Sequence, residues 1–300
     1  MHQYWAYGLL VESEIEFPEL LPYSFEKAEV TVQIGKAPKN IEGDDVLHKA
    51  TVSMSSNEYL LKLLNIANYY AANGNQIVIE PLQDSDENSL RLFALSNAFS
   101  AILYQRNSIL LHASGVFFKN GVILFCGNSG AGKSTLITAL QQKGYQVFTD
   151  DVCVLQPQLD HSIKVIPSYP MIKLWEDSFT KIGISDWGEK KRIRDHLPKY
   201  AHYFHNQFIT DPQNVLQLFV LDNSHKNSLD VQIIQLTALD AFDIVEKNSY
   251  RQLQMIMMKK RQLHFKQITQ LVNGLPVFLC KRPEYGNTLD TLIETIETIF

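Results

Sequence analysis

The chain has 300 residues, 45% hydrophobic and 20% charged, the balance of a globular protein with material for one large or two modest domains. Its net charge of −5 and pI of about 6.0 lack the basic domain that general nucleic-acid binding brings, and no run approaches the ~18 apolar residues of a membrane span. Three widely spaced cysteines, Cys126, Cys153 and Cys280, show no metal spacing and read as small buried hydrophobes in a reducing, cytoplasmic setting; the opening Met1–Trp5 lacks the basic stretch and apolar core of a signal peptide.

Residues 1–87 read as β-rich. Glu29–Ile34 alternates as a half-buried strand does, and Glu58–Leu63 forms a second. Ile66–Ala71 and Gln76–Ile79 flank Asn73-Gly74-Asn75, a hairpin signal. Asp84–Glu87 supplies caps and acidic first-turn residues. Leu92, Leu95, Phe99, Ile102 and Leu103 follow at helical spacing, so a helix joins this region to a second domain spanning 88–300.

Further on, Asn120-Gly121 is a strong two-residue hairpin signal. A turn there sets Lys119 against Val122 and, step by step, His112 against Ser129. Gly127-Asn128-Ser129-Gly130-Ala131-Gly132-Lys133-Ser134 then matches G-x-x-x-x-G-K-[ST]. It lies between a strand-like Gly121–Cys126 and a helix-like Ser134–Lys143, the context that makes the motif credible. Glycines let backbone N–H groups turn inward on phosphate oxygens, and the helix N-terminus adds partial positive charge. Lys133 reaches the β- and γ-phosphates, Ser134 ligates Mg²⁺, and Thr135 continues the binding turn. The motif implies a nucleoside triphosphate.

Gly144 stops the helix, and Tyr145–Thr149 reads as a strand. A strand–helix–strand unit of this length makes its two strands parallel in one sheet, so both end on one edge. Asp150 and Asp151 therefore fall beside the phosphates. One carboxylate can serve the metal and the other can accept a hydroxyl proton. Two basic clusters follow, Lys190–Arg194 with Lys199, and Lys259–Arg261 with His264 and Lys266. The first lies where cationic groups could meet a γ-phosphate or a substrate carboxylate. Leu275–Leu279 reads as a strand and Thr288–Phe300 as a closing amphipathic helix.

Leu111-His112, the 127–134 loop, Gly144 and Asp150-Asp151 together resemble the catalytic domain of HPr kinase/phosphorylase. Tyr7–Leu20, Leu111–Gly115 and Tyr169–Trp175 are similar to HPr-kinase-like proteins of peptide natural-product clusters. Several of those are lasso-peptide kinases that phosphorylate a C-terminal serine. The resemblance implies an α/β fold: an HPr kinase/PEP carboxykinase-like P-loop catalytic domain behind a smaller β-rich domain. It implies ATP and Mg, with Lys133 as the Walker lysine, Ser134 and Asp150 on the metal side, Asp151 as proton acceptor and His112 as the active-site histidine. Glu176 stands where that family has a magnesium-linked glutamate, although Asp177-Ser178 replaces the Arg-Gly that follows it there. Lys191, Arg192 and Arg251 are candidates for substrate contacts, the two arginines standing in for the family's later catalytic arginine.

The reading is an ATP- and Mg-dependent serine kinase whose partner is a precursor peptide ending in serine, with no nucleic acid and no membrane. An HPr-type kinase/phosphorylase and a small-molecule kinase remain as alternatives, and a homo-oligomer is open. A GTPase would need Asp-x-x-Gly and Asn-Lys-x-Asp motifs, and an ABC-type ATPase a Ser-Gly-Gly signature; none occurs.

Overall fold

The computed structural model describes residues 1–83, 85–182, 192–194, 197–225, 230–283, 286 and 288–299. Asp84, Lys190, Lys191 and Phe300, named above, lie outside the described residues.

The first layer is a sheet built from β1 (His2–Ala6), β2 (Leu9–Ser13), β3 (Leu21–Pro22), β4 (Val30–Ile34), β5 (Leu47–Lys49), β6 (Val52–Met54), β7 (Glu58–Leu63), β8 (Ala67–Ala72) and β9 (Gln76–Pro81). Their order is β3-β1-β2-β4-β9-β8-β7-β6-β5. Asp86 then caps a helix by accepting from the Ser89 N–H at 2.8 Å. The helix runs as α1 (Glu87–Phe93), a π-turn (Ala94–Ala98) and α2 (Phe99–Gln105). Leu90, Leu95, Phe99, Ile102 and Leu103 bury themselves with Val11, Val32, Tyr69 and Ile77 of the sheet. The same core takes in Tyr250, Met255 and Met258 from far down the chain.

The π-turn has a structural use. A widened turn strains the i→i−4 ladder and leaves carbonyls to other donors. The Ser96 carbonyl accepts from Arg251 Nε at 3.2 Å, and the Asn97 carbonyl from Gln254 Nε2 at 3.1 Å. This fastens the 250–254 segment across the helix.

The second layer holds β10 (Ile109–Leu111), β11 (Ala113–Phe118), β12 (Gly121–Gly127), β13 (Val147–Thr149), β14 (Cys153–Pro157), β15 (Ile163–Ile166), β18 (Gln213–His225), β19 (Gln232–Gln235) and β20 (Val277–Pro283), while β16 (Met171–Trp175) and β17 (Lys199–Tyr203) form a separate hairpin. In the larger sheet β12 pairs in parallel with β18, and β18 in parallel with β20. Helices α3 (Lys133–Gln142), α4 (Glu176–Lys181), α5 (Ala238–Lys247), α6 (Gln252–Met257), α7 (Arg261–Gly274) and α8 (Leu289–Glu297) complete the chain. Strand β12 is buried on both faces, which explains its unbroken apolar run. Ile123 and Phe125 pack with Leu136 and Leu140 of α3 and Ile293 of α8. Val122, Leu124 and Cys126 pack with Val245 of α5 and Leu271 of α7.

The β12–α3–β13 unit is the expected crossover, with one addition. β11 lies between the two strands and is antiparallel to both, which leaves them parallel to each other. Both therefore end on one edge, at Gly127 and at Thr149.

The hairpin register differs from the expectation. Phe118 pairs with Gly121, so the turn residues are Lys119 and Asn120, and Lys119 takes φ +49°. Ala113 pairs with Cys126, and His112 falls beyond the ladder rather than opposite Ser129. The slip is two residues, an even number, so every side chain keeps its face. The expected position failed because the positive-φ position fell on Lys119, ahead of the Asn-Gly pair.

Candidate active site

The phosphate loop leaves β12 through Gly127 at φ +144°. A Cβ there would stand 2.5 Å from the Leu221 carbonyl oxygen of β18, so only glycine lets the loop begin so close to the neighbouring strand. Gly130 and Gly132 also take positive φ, and Gly132 precedes the first turn of α3. Ala131 is held from both sides: its N–H donates to the Asn128 carbonyl at 3.0 Å, and its carbonyl accepts from the Arg282 guanidinium of β20.

Lys133 is buried and curls over the loop, donating to the Gly127 carbonyl at 2.8 Å and the Asn128 carbonyl at 3.2 Å. Burial pulls its pKa below the usual ammonium range, with Asp150 opposing. The next residue is Ser134, whose Oγ donates to Asp150 Oδ1 at 3.0 Å. Asp150 is buried and accepts from Ser114 Oγ at 2.6 Å, and from the Lys173 N–H at 3.0 Å. Two donors from two separate segments, Ser114 Oγ and the Lys173 N–H, thus aim this carboxylate at the loop hydroxyl.

Asp151 turns the other way. The Val152 N–H donates to the Asp150 carbonyl at 2.9 Å across Asp151, whose φ is +71°. This is a γ-turn of the rare, strained hand. It separates the two successive carboxylates. Asp151 Oδ2 meets Lys173 Nζ at 2.7 Å, with side chains 18% and 5% exposed. Burial pushes the Asp151 carboxyl up, but the charge of Lys173, with that of Lys199 behind it, outweighs this and holds the group well below the usual carboxylate range. Lys173 is in turn held above the usual ammonium range: burial lowers it, and the Asp151 charge more than offsets that.

His112 stands beside this pair. Its Nδ1–H donates to the Asp151 carbonyl at 2.7 Å, and Nδ1 lies 3.5 Å from Asp151 Oδ1. That donation fixes the neutral tautomer and leaves Nε2 as an acceptor. Burial lowers the pKa of the ring, with the Asp151 charge opposing, so the imidazole is neutral at pH 7.

These groups border one cavity of about 360 Å³, where His112 and Asp151 face Ser129, Lys133, Ser134 and Thr135. Trp175 and Lys199, from the β16–β17 hairpin, and Asp177 and Ser178, from α4, complete the wall. Ser178 Oγ and Thr135 Oγ1 lie 2.8 Å apart and join α4 to α3. Gly127, Asn128 and Arg251 border an adjoining cavity of about 250 Å³ that shares His112 and Ser129.

Not every candidate gathers here. Glu176 opens α4 with its N–H on the Pro198 carbonyl at 3.0 Å, and its neighbours Asp177 and Ser178, not it, line the cavity. Arg192 donates from Nε to Tyr200 Oη at 3.2 Å and faces a separate pocket beside Arg91 and Lys173. Sequence reasoning passed over Ser114, Lys173, Asp177 and Arg282. For Lys173 a signal existed: a lone cation among Met171, Ile172 and Leu174 in a buried strand requires a buried partner.

The hard oxygen donors of Ser134 and Asp150 fit Mg²⁺. Among the described residues no three His, Cys, Asp or Glu side chains cluster as a metal site. Mg²⁺ takes one or two protein ligands and fills its shell with phosphate oxygens and water.

No family model matches the chain, and no curated protein matches it. A solved structure of the HPr(Ser) kinase/phosphatase from Coxiella burnetii aligns over 63% of this chain and 94% of its own, at 16% identity and a TM-score of 0.34. A likeness that slight assigns neither fold nor function, and the reading below rests on the site. Among the described residues no helix is long and apolar enough to cross a membrane.

Proposed function

We propose that this chain is a kinase that moves the γ-phosphate of ATP to a serine hydroxyl, the acceptor being the last residue of a precursor peptide. One observation carries the reading: two adjacent carboxylates are parted by the turn at Asp151, one onto the phosphate-loop Ser134, the other onto the open wall with His112. A switch or motor needs the first carboxylate; the second suits a proton acceptor for an incoming hydroxyl.

Ser134 and Asp150 would hold Mg²⁺, which when bound neutralises charge on the phosphate oxygens. Lys133 would leave the loop carbonyls for the phosphates. Asp151, kept ionised by Lys173, can accept a proton at any physiological pH. It is a weak base, and a loose phosphoryl-transfer transition state asks little more of it, since the proton departs late. The neutral His112 would orient the hydroxyl through Nε2.

The peptide acceptor rests on the resemblance of Tyr7–Leu20, Leu111–Gly115 and Tyr169–Trp175 to the lasso-peptide kinases, and on the missing Arg-Gly after Glu176. A synthetic peptide ending in serine, incubated with ATP and Mg²⁺, should gain one phosphate, about 80 Da by mass spectrometry. Alanine in place of that serine should abolish the gain. Efficient phosphorylation of HPr, a sugar or a nucleoside with no action on such peptides would overturn the peptide reading while leaving the kinase reading intact.

A further inference from the structure

We propose that Lys199 is a catalytic cation of this site, meeting the transferring phosphoryl group from the β16–β17 wall while Lys133 meets it from the loop. The inference rests on the kinase reading above and adds a residue to it.

Four observations converge. Lys199 is the first residue of β17 and pairs directly with Trp175, the last of β16, so its backbone is fixed at the cavity end of the hairpin. The Pro198 carbonyl beside it is tied to the Glu176 N–H at 3.0 Å. Its ammonium lies 5.4 Å from the Trp175 ring centroid, a cation–π contact that orients the stem over the indole. It lines the same cavity as Lys133, Ser134 and Asp151. Lastly, its charge is not tied up in a direct contact, and Lys133, Lys173 and Lys199 differ in this. Lys173 is ion-paired to Asp151 and Lys133 is bonded to loop carbonyls, whereas Lys199 Nζ makes no hydrogen bond or ion pair with any described residue.

A half-buried ammonium loses hydration, and the Asp151 and Asp150 charges, which act on Lys199 without touching it, offset only part of that loss. The negative charge that would repay it is the one the reaction brings. In the step, the acceptor oxygen bonds to the γ-phosphorus as the bond to the β,γ-bridging oxygen breaks. The electron pair of the broken bond leaves with ADP, and the hydroxyl proton passes to Asp151 and on to solvent. Charge builds on the equatorial and bridging oxygens, where a positioned cation stabilises the transition state more than bound ATP.

The test compares a ground-state and a transition-state mimic by calorimetry: Mg·AMP-PNP and Mg·ADP·aluminium fluoride, with the wild type, Lys199→Met and Lys199→Arg. Methionine keeps an apolar stem over Trp175, and arginine keeps the charge. Lys199→Met should bind Mg·AMP-PNP within about threefold of wild type and lose about 10²-fold or more of its affinity for the fluoride complex. Lys199→Arg should recover part of that loss. Equal losses on both mimics, or no loss on either, would overturn the assignment. A wild type that binds neither mimic would instead overturn the nucleotide reading on which it stands.

Discussion

Lys133→Ala is expected to lower the rate of phosphoryl transfer to a serine-ended peptide by about 10³-fold or more, the size of effect seen when a positioned charge is removed from a developing anion. Two losses combine. The γ-phosphate loses its loop cation, and the loop loses the ammonium that bridges the Gly127 and Asn128 carbonyls. Nucleotide affinity should therefore fall as well, together with kcat. Transfer of radiolabelled γ-phosphate measures the first and calorimetry the second. Turnover within about tenfold of wild type would place the chemistry elsewhere in the molecule.

Asp151→Asn should cost about 10²- to 10⁴-fold in transfer and leave Mg·ATP affinity largely intact, because Asp150 and not Asp151 faces Ser134. It should also destabilise the protein. Lys173, with a side chain only 5% exposed, would be left charged and unpaired, a defect of about 3–5 kcal/mol. Adding Lys173→Met should restore most of the stability and none of the activity, which separates the two roles of the carboxylate. The pair also fixes a pH window. Asp151 titrates below its unfolded value, so its contribution is full above the ordinary carboxylate range near about pH 4 and is lost as pH falls through the depressed folded value. Lys173 titrates above its unfolded value, so its contribution is full below about pH 10.4 and is lost as pH rises through the elevated folded value. The stability gap between wild type and Asp151→Asn, read from urea melts, should narrow on the acid side, as Asp151 is protonated, and also on the alkaline side, where the unpaired buried Lys173 of the variant sheds its proton in the folded state. Unchanged stability in the single variant would mean that the ion pair is not as dry as its geometry requires.

What the sequence revealed follows from how local each feature is. The phosphate loop and the Asp150-Asp151 pair were legible because the loop is contiguous and its chemistry is carried by backbone, and because a crossover fixes where its strands end. Strands β4, β7, β8 and β9 showed in alternation and turn residues, within a residue or two of their ends. The short strands β5 and β6 and the long β18 gave no such pattern. The π-turn left no mark, and the partners of its carbonyls, Arg251 and Gln254, lie more than 150 positions away. The same holds for Lys173: it is 22 positions from Asp151, and only the packing of β16 against the site reveals its role. His112 reached the active site despite the misplaced turn, since a two-residue slip preserves the face of a strand. Glu176, placed by resemblance, stands between two residues that line the cavity, Trp175 and Asp177, and is not among them.

The most direct measurement is a crystal structure of the protein soaked with Mg·AMP-PNP. The metal is expected on Ser134 and Asp150, the γ-phosphate against the Lys133 ammonium and facing Lys199 across the cavity, and the Asp151 carboxylate still on Lys173 with one oxygen open towards the phosphorus. A triphosphate bound outside the 127–134 loop, or a metal held without Asp150, would contradict this arrangement.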